Sequence, residues 1–204
     1  MLKIIFIAFF SLWISIGFAQ NFKKRIVYKN LIGMIISESD FNNIVSDKKI
    51  LIYTIENDSL IVKKIFQHDT KGFLDAEQVA IIRRVIEKLT AVQVQKTDTL
   101  VINFFIYPNK APNGSCIDFY TGDRNYKSFF KKKKNSHIKQ FFLTEATFEY
   151  KKDGVFRDKQ AIIEDFCFND AFDCGNYIIV YPDNSFIKKY GEYRQAEIIE
   201  YFKK

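Results

Sequence analysis

The sequence predicts an α/β fold, a mixed sheet with helices on both faces, and three stretches carry that prediction. Thr99–Tyr107 reads Thr-Leu-Val-Ile-Asn-Phe-Phe-Ile-Tyr, a nearly continuous apolar run. It is too short for most helices and has no helical polar face, so it is expected as a central strand covered on both sides. From Asp75 onward, Val79, Ile82, Ile86 and Leu89 fall on one face of a helix. Asn176–Tyr181 and Ser185–Tyr190 flank Pro182-Asp183-Asn184, the pattern of two antiparallel strands and their turn.

The first residues set the expected compartment. Lys3 precedes an almost wholly apolar run from Ile4 to Phe18, and Gly17-Phe18-Ala19 puts small residues where a signal peptidase reads, so residues 1–19 are expected as a signal peptide cleaved before Gln20. The run is shorter than the roughly 20 apolar residues that a spanning helix needs. No second run of that kind follows, and no cysteine near Ala19 offers a lipid anchor. The mature chain is therefore expected to be exported, periplasmic or secreted, with no stable membrane span. Aromatic residues make up 17% of the chain, which excludes a disordered protein. The formal net charge of +7 is spread along the chain except at Lys131-Lys132-Lys133-Lys134. That run reads as a solvated loop or as a surface for an anionic partner. Nucleic acid is not expected, because neither a binding motif nor a basic and aromatic alternation accompanies it.

Between the leader and the central strand, residues 20–48 show no firm periodicity. Lys49–Ile55 and Leu60–Phe66 are rich in β-branched and aromatic residues and flank Glu56-Asn57-Asp58-Ser59, which predicts a β-hairpin. Asp75 and Gln78 have the spacing of a capping box at the start of the helix, and Arg83, Arg84 and Lys88 farther along suit its dipole. Residues 20–96 are thus expected as an N-terminal extension of hairpin and helix packed on a main domain, residues 97–204.

Beyond the central strand, Pro108–Gly114 holds two prolines and a glycine and is expected as a loop. In α/β sheets the crevice beyond the C-terminal end of such a strand is where ligands bind. Phe141–Tyr150 is expected as a strand, Lys151-Lys152-Asp153-Gly154 as its turn, and a helix is expected from near Arg157 with Ala161, Ile162, Phe166 and Cys167 on its apolar side. A short helix through Ile198, Ile199 and Phe202 closes the chain.

Three cysteines, Cys116, Cys167 and Cys174, are an odd count in a compartment where disulfides form. Proximity in sequence favours a Cys167–Cys174 bridge, leaving Cys116 free. His68 and His137 stand far apart without cysteine or carboxylate at metal-ligand spacing, so no metal and no cofactor is expected. Asn57-Asp58-Ser59 and Asn113-Gly114-Ser115 match the glycosylation acceptor pattern, which matters only in a host that modifies asparagine.

From about Thr97 to Lys204 the expected order is strand, loop, helical region, strand, helix, hairpin, helix. Tyr177–Gly191, Tyr-Ile-Ile-Val-Tyr-Pro-Asp-Asn-Ser-Phe-Ile-Lys-Lys-Tyr-Gly, resembles the final hairpin of exported redoxin-type proteins, and Leu100–Phe105 resembles their central strand. The chain thus resembles a degenerate thioredoxin-like domain. Where that family carries Cys-x-x-Cys this chain reads Asn109-Lys110-Ala111-Pro112, and Asp173-Cys174-Gly175-Asn176 replaces the family's proline before the penultimate strand. Disulfide exchange needs an attacking thiolate and a resolving thiol, so the resemblance implies the fold without its catalytic residues.

The function expected is a non-catalytic binding or accessory module, with room for a protein partner and an open oligomeric state. Its contact surface would be Pro108, Asn109, Lys110, Pro112, Asn113 and Cys116. The alternative is a thiol-dependent oxidoreductase using Cys116, with or without Cys174, because Cys116 follows the loop at an expected helix start, where a thiolate is favoured.

Overall fold

The computed structural model describes residues 24–31, 33–46, 50–107, 115–133, 137–169, 172 and 175–203. The chain forms two compact units, Met1–Phe66 and Gln67–Lys204.

The first unit is a four-stranded sheet with one helix. Its strands are β1 (Arg25–Lys29), β2 (Ile35–Ile36), β3 (Ile50–Glu56) and β4 (Leu60–Gln67), in the order β2-β1-β4-β3. β3 and β4 are the expected hairpin. Its turn is held by the Asn57 side chain, whose Oδ1 accepts from the Ser59 and Leu60 amides, while the Asn57 N–H donates to the Leu60 carbonyl. β1 runs parallel to β4 and antiparallel to β2, which gives structure to a segment without sequence periodicity. α1 (Glu38–Val45) starts at Ser37, whose hydroxyl accepts from the Asp40 amide, and it buries Phe41 against Tyr28 at 4.8 Å between ring centroids.

The second unit holds a six-stranded sheet, ordered β5-β10-β9-β6-β7-β8. Its strands are β5 (Asp69–Phe73), β6 (Thr99–Phe105), β7 (Ile138–Thr144), β8 (Val155–Arg157), β9 (Asn176–Val180) and β10 (Ser185–Tyr190). β6, β7 and β8 are parallel to one another; β9 is antiparallel to β6, β10 to β9, and β5 to β10. Helices α2 (Ala76–Thr90), α3 (Ser115–Gly122), α4 (Arg124–Lys132), α5 (Ile162–Cys167) and α6 (Gln195–Glu200) complete it. The fold class is the expected mixed α/β sheet, and its order is the one the thioredoxin-like resemblance implies, with β8 added.

Every residue of β6 is buried, because the strand has a neighbour on each side and cover on each face. Val101 and Phe105 join Ile117, Tyr120, Tyr126, Tyr193 and Ile198, which come from α3, α4, α6 and the segment before α6. Leu100, Ile102 and Phe104 alternate to the other face, where Phe104 stacks on Phe168 just beyond α5 at 4.7 Å. α2 packs against α5, burying Val79, Ile82 and Ile86. Its capping box forms as expected, Asp75 accepting from the Gln78 amide and Gln78 from the Asp75 amide.

Several boundaries differ from expectation. The unit boundary falls between Phe66 and Gln67 instead of at residues 96 and 97, because β5 hydrogen-bonds along β10 and so brings the segment that precedes α2 into the main sheet. The expected strand over 141–150 is β7, which begins at Ile138 and ends at Thr144; a turn follows in which the Phe148 amide donates to the Glu145 carbonyl. Val155–Arg157 extends the sheet as β8, so the next helix starts only at Ile162 and buries Ile163 and Cys167 instead of Ile162 and Phe166. Its first amides, those of Ile162, Ile163 and Glu164, donate to the Asp158 carboxylate. Among the described residues no helix is long and apolar enough to cross a membrane.

Candidate functional site

The site is built outward from one polar side chain inside the apolar run of β6. Asn103 is fully buried, and burying an amide is costly unless its hydrogen bonds are made. Its Oδ1 accepts from the Tyr193 hydroxyl at 2.5 Å and from the Tyr126 hydroxyl at 3.3 Å, and its Nδ2 donates to the Phe141 carbonyl at 3.2 Å. One side chain thereby ties β6 to β7, α4 and the segment before α6. Burial raises the pKa of both Tyr126 and Tyr193, so both hydroxyls stay protonated and act as donors.

Above this network lies a cavity of about 810 Å³. Its aromatic wall is Phe119, Tyr120 and Tyr193. Tyr193 stacks on Tyr120 at 4.6 Å and meets Tyr177 edge-on at 4.8 Å. The Tyr193 amide donates to the Tyr120 hydroxyl at 3.2 Å, and burial raises the Tyr120 pKa. Gly175 makes room for that ring: its φ is +113°, and a Cβ there would stand 2.8 Å from the Tyr120 hydroxyl. Phe119 is 71% exposed, so the wall carries an apolar lip open to solvent.

The polar lining contains one group left unsatisfied. Gln195 is 97% buried (3% exposed), and its Nε2 donates to the Tyr120 carbonyl, which fixes the amide's orientation because a carbonyl can only accept. Its Oε1 has no hydrogen-bond partner among the described residues. A buried acceptor without a donor costs about 1–3 kcal/mol, and a bound N–H or O–H would remove that cost. Beside it, Lys189 donates to Glu197 at 2.5 Å and stands 3.9 Å from Asp69. This partly buried cation is therefore already neutralised.

Of the residues singled out from sequence, Cys116 lies in the first turn of α3 and lines this cavity, half-buried. It is disulfide-bonded and so not the free thiol expected. Cys167 is instead the free one, which corrects the expected Cys167–Cys174 bridge. Its place on the buried face of α5 holds it in the core, and burial pushes its pKa up to about 12. Pro108, Asn109, Lys110, Pro112, Asn113 and Cys174 lie outside the described residues. Lys131 and Lys132 form the last turn of α4, where cations complement the helix dipole. His137 contacts the Asp98 carboxylate at 3.2 Å and His68 lines the cavity. Among the described residues no group of three histidine, cysteine or carboxylate side chains is placed to hold a metal ion.

Sequence reasoning missed Asn103, Tyr120, Tyr193 and Gln195. The signal for Asn103 was present, since an asparagine inside a buried apolar strand must find partners there. No protein-family model matches the chain, and no curated protein matches it. Among solved structures it is similar to a candidate thioredoxin from Neisseria meningitidis determined in solution, at 9% identity over 76% of this chain and 88% of that one, with a TM-score of 0.39.

Proposed function

We propose that the chain is an exported, non-catalytic thioredoxin-like binding module, and that it takes an extended segment of a protein partner into the cavity beside Tyr120 and Tyr193. Gln195 carries this reading: it lines the cleft, and its buried Oε1 is short of one donor. A peptide backbone supplies N–H donors at regular intervals, and its side chains would lie on Phe119 and Tyr120. The ion pair of Lys189 with Glu197 neutralises that cation of the lining. The thioredoxin-type cysteine positions read Asn109-Lys110-Ala111-Pro112, which cannot exchange disulfides. A disulfide at Cys116 is in keeping with an oxidising compartment.

The second reading, a thiol-dependent oxidoreductase, is favoured by one observation: the disulfide-bonded Cys116 lines the same cavity and is not fully buried. A substrate thiolate attacking that bond would form a mixed disulfide and release the other cysteine as a thiolate.

One experiment separates the two. Immobilised ten-residue peptides of random sequence, with and without cysteine, are challenged with the purified chain and with Gln195→Met. The binding module retains cysteine-free peptides, and Gln195→Met weakens retention by roughly tenfold, the worth of one buried hydrogen bond. Retention that requires a peptide cysteine and is released by reductant transfers the assignment to the oxidoreductase. No retention, or retention that Gln195→Met leaves unchanged, removes the proposed site.

A further inference from the structure

A second cavity opens at the β8 edge of the six-stranded sheet. β8 is the outermost strand there and pairs with β7 only along Phe142, Leu143 and Thr144. The earlier residues of β7, Ile138 to Phe141, pair with β6 on one side and with no residue of β8 on the other. A cavity of about 320 Å³ lies here, bounded by Gln140 and Phe142 of β7, Phe156 of β8, and Lys127, Phe130 and Lys131 of α4. Its volume is at the small end of the range for ligand sites. It shares no lining residue with the cavity beside Tyr120 and Tyr193.

The polar groups of this lining are short of acceptors. Gln140 pairs in register with Val101 and so projects to the same face of the sheet as that core residue, the face that α4 covers. Its Nε2 is buried and has no hydrogen-bond partner among the described residues. An amide nitrogen only donates, so what it lacks is an acceptor, and leaving a buried donor unmatched is costly. Lys127 and Lys131 stand one turn apart on α4, and neither ammonium is in an ion pair among the described residues. Thr90 and Thr121, also in the lining, are already served: their hydroxyls donate to the Ile86 and Ile117 carbonyls. Asp153 is the lining's carboxylate, so two lysines against one aspartate leave a surplus of one positive charge. Lys131 also opens the run Lys131-Lys132-Lys133-Lys134, which the site at Gln195 does not use.

We propose that this cavity binds a small monocarboxylate with an apolar body, its carboxylate taken by Lys127, Lys131 and Gln140 and its body laid against Phe130, Phe142 and Phe156. A carboxylate presents acceptors alone, which is what the amide and the two ammonium groups require. The flexible stems of the lysines let both ammonium groups reach it. A single negative charge matches the surplus of the lining, whereas a dianion would meet Asp153 with a charge in excess. A neutral apolar molecule would leave Gln140 and both lysines unserved.

The probe is phenylpropionate, titrated into the purified chain by calorimetry and followed by amide chemical shifts. A dissociation constant of about 0.1–1 mM is expected, within reach of a ligand of about ten non-hydrogen atoms. Phenylpropanamide, the same body without the charge, is expected to bind about tenfold more weakly, and the double variant Lys127→Gln, Lys131→Gln to lose about tenfold for phenylpropionate. Gln140→Leu is expected to weaken binding by about threefold to tenfold while leaving thermal unfolding unchanged or raised, because the apolar replacement removes the unmatched donor. The shifts should centre on Gln140, Phe142 and Phe156, and Gln195→Met should bind the probe as the unaltered chain does, which keeps this site separate from the peptide cleft. Four results would each overturn the proposal: no saturable binding at millimolar probe, equal affinity for the amide, full affinity in the double lysine variant, or shifts centred on Phe119 and Gln195. Inorganic phosphate that displaces the probe at equal concentration also overturns it, since the aromatic wall would then contribute nothing.

Discussion

Thr99–Phe105 and Ile50–Glu56 are strands of the same length and similar composition, yet β6 is buried at every position and β3 is exposed over most of its length. β6 has β9 and β7 on its two sides and helices over both faces, and β3 has β4 alone. Composition therefore chooses the extended backbone in both places, and the neighbours decide what it costs to change a residue. A buried strand loses transfer energy and leaves a cavity when truncated; an exposed one loses little.

The sharpest break of this contrast is Phe104→Ala. The ring is fully buried and stacked on Phe168, so its removal is expected to cost about 3–5 kcal/mol in denaturant unfolding of the second unit. A cost below 1 kcal/mol would mean that β6 is not the centre of a packed core.

How much of this was legible in sequence depended on whether the signal was local. The capping box of Asp75 and Gln78, the stripe of Val79, Ile82 and Ile86, the turn at Asn57–Ser59 and the hairpin of β9 and β10 were readable, because their partners lie within a few residues. β1 was not, since its strand character comes from pairing with β4 some 35 residues away in sequence (Arg25 with Leu60). β5 was hidden because an edge strand of alternating polar residues looks like a loop. Arg83 read as a dipole-compensating cation, but the fold buries it and directs its guanidinium to the Gln95 and Asp98 carbonyls. The site was less legible still. Gln195 reaches the Tyr120 carbonyl across 75 residues, and Tyr193 reaches Asn103 across 90. The cysteine pairing failed for the same reason, since proximity in sequence says nothing of which helix face is buried.

Tyr126→Phe tests the polar part of the same core at smaller scale. Losing its hydrogen bond with Asn103 is expected to cost about 1 kcal/mol at neutral pH. pH adds a second signature. Burial, the first cause, raises the Tyr126 pKa above its ordinary value of 10.0, so the folded state holds a proton that the unfolded state releases. The stabilisation is complete below pH 10 and falls as pH rises through the folded value. The unaltered chain is thus expected to lose stability above pH 10 more steeply than Tyr126→Phe. Equal slopes in paired unfolding curves would show that this hydroxyl is not shielded from water.

The smallest effect belongs to β3. Ile55→Thr keeps a β-branched side chain at a position 55% exposed, and threonine suits a strand as well as isoleucine does. In denaturant unfolding the change is expected to fall within ~0.5 kcal/mol. A loss of 2 kcal/mol or more would put Ile55 under cover in the monomer. The contrast with β6 would then be one of degree.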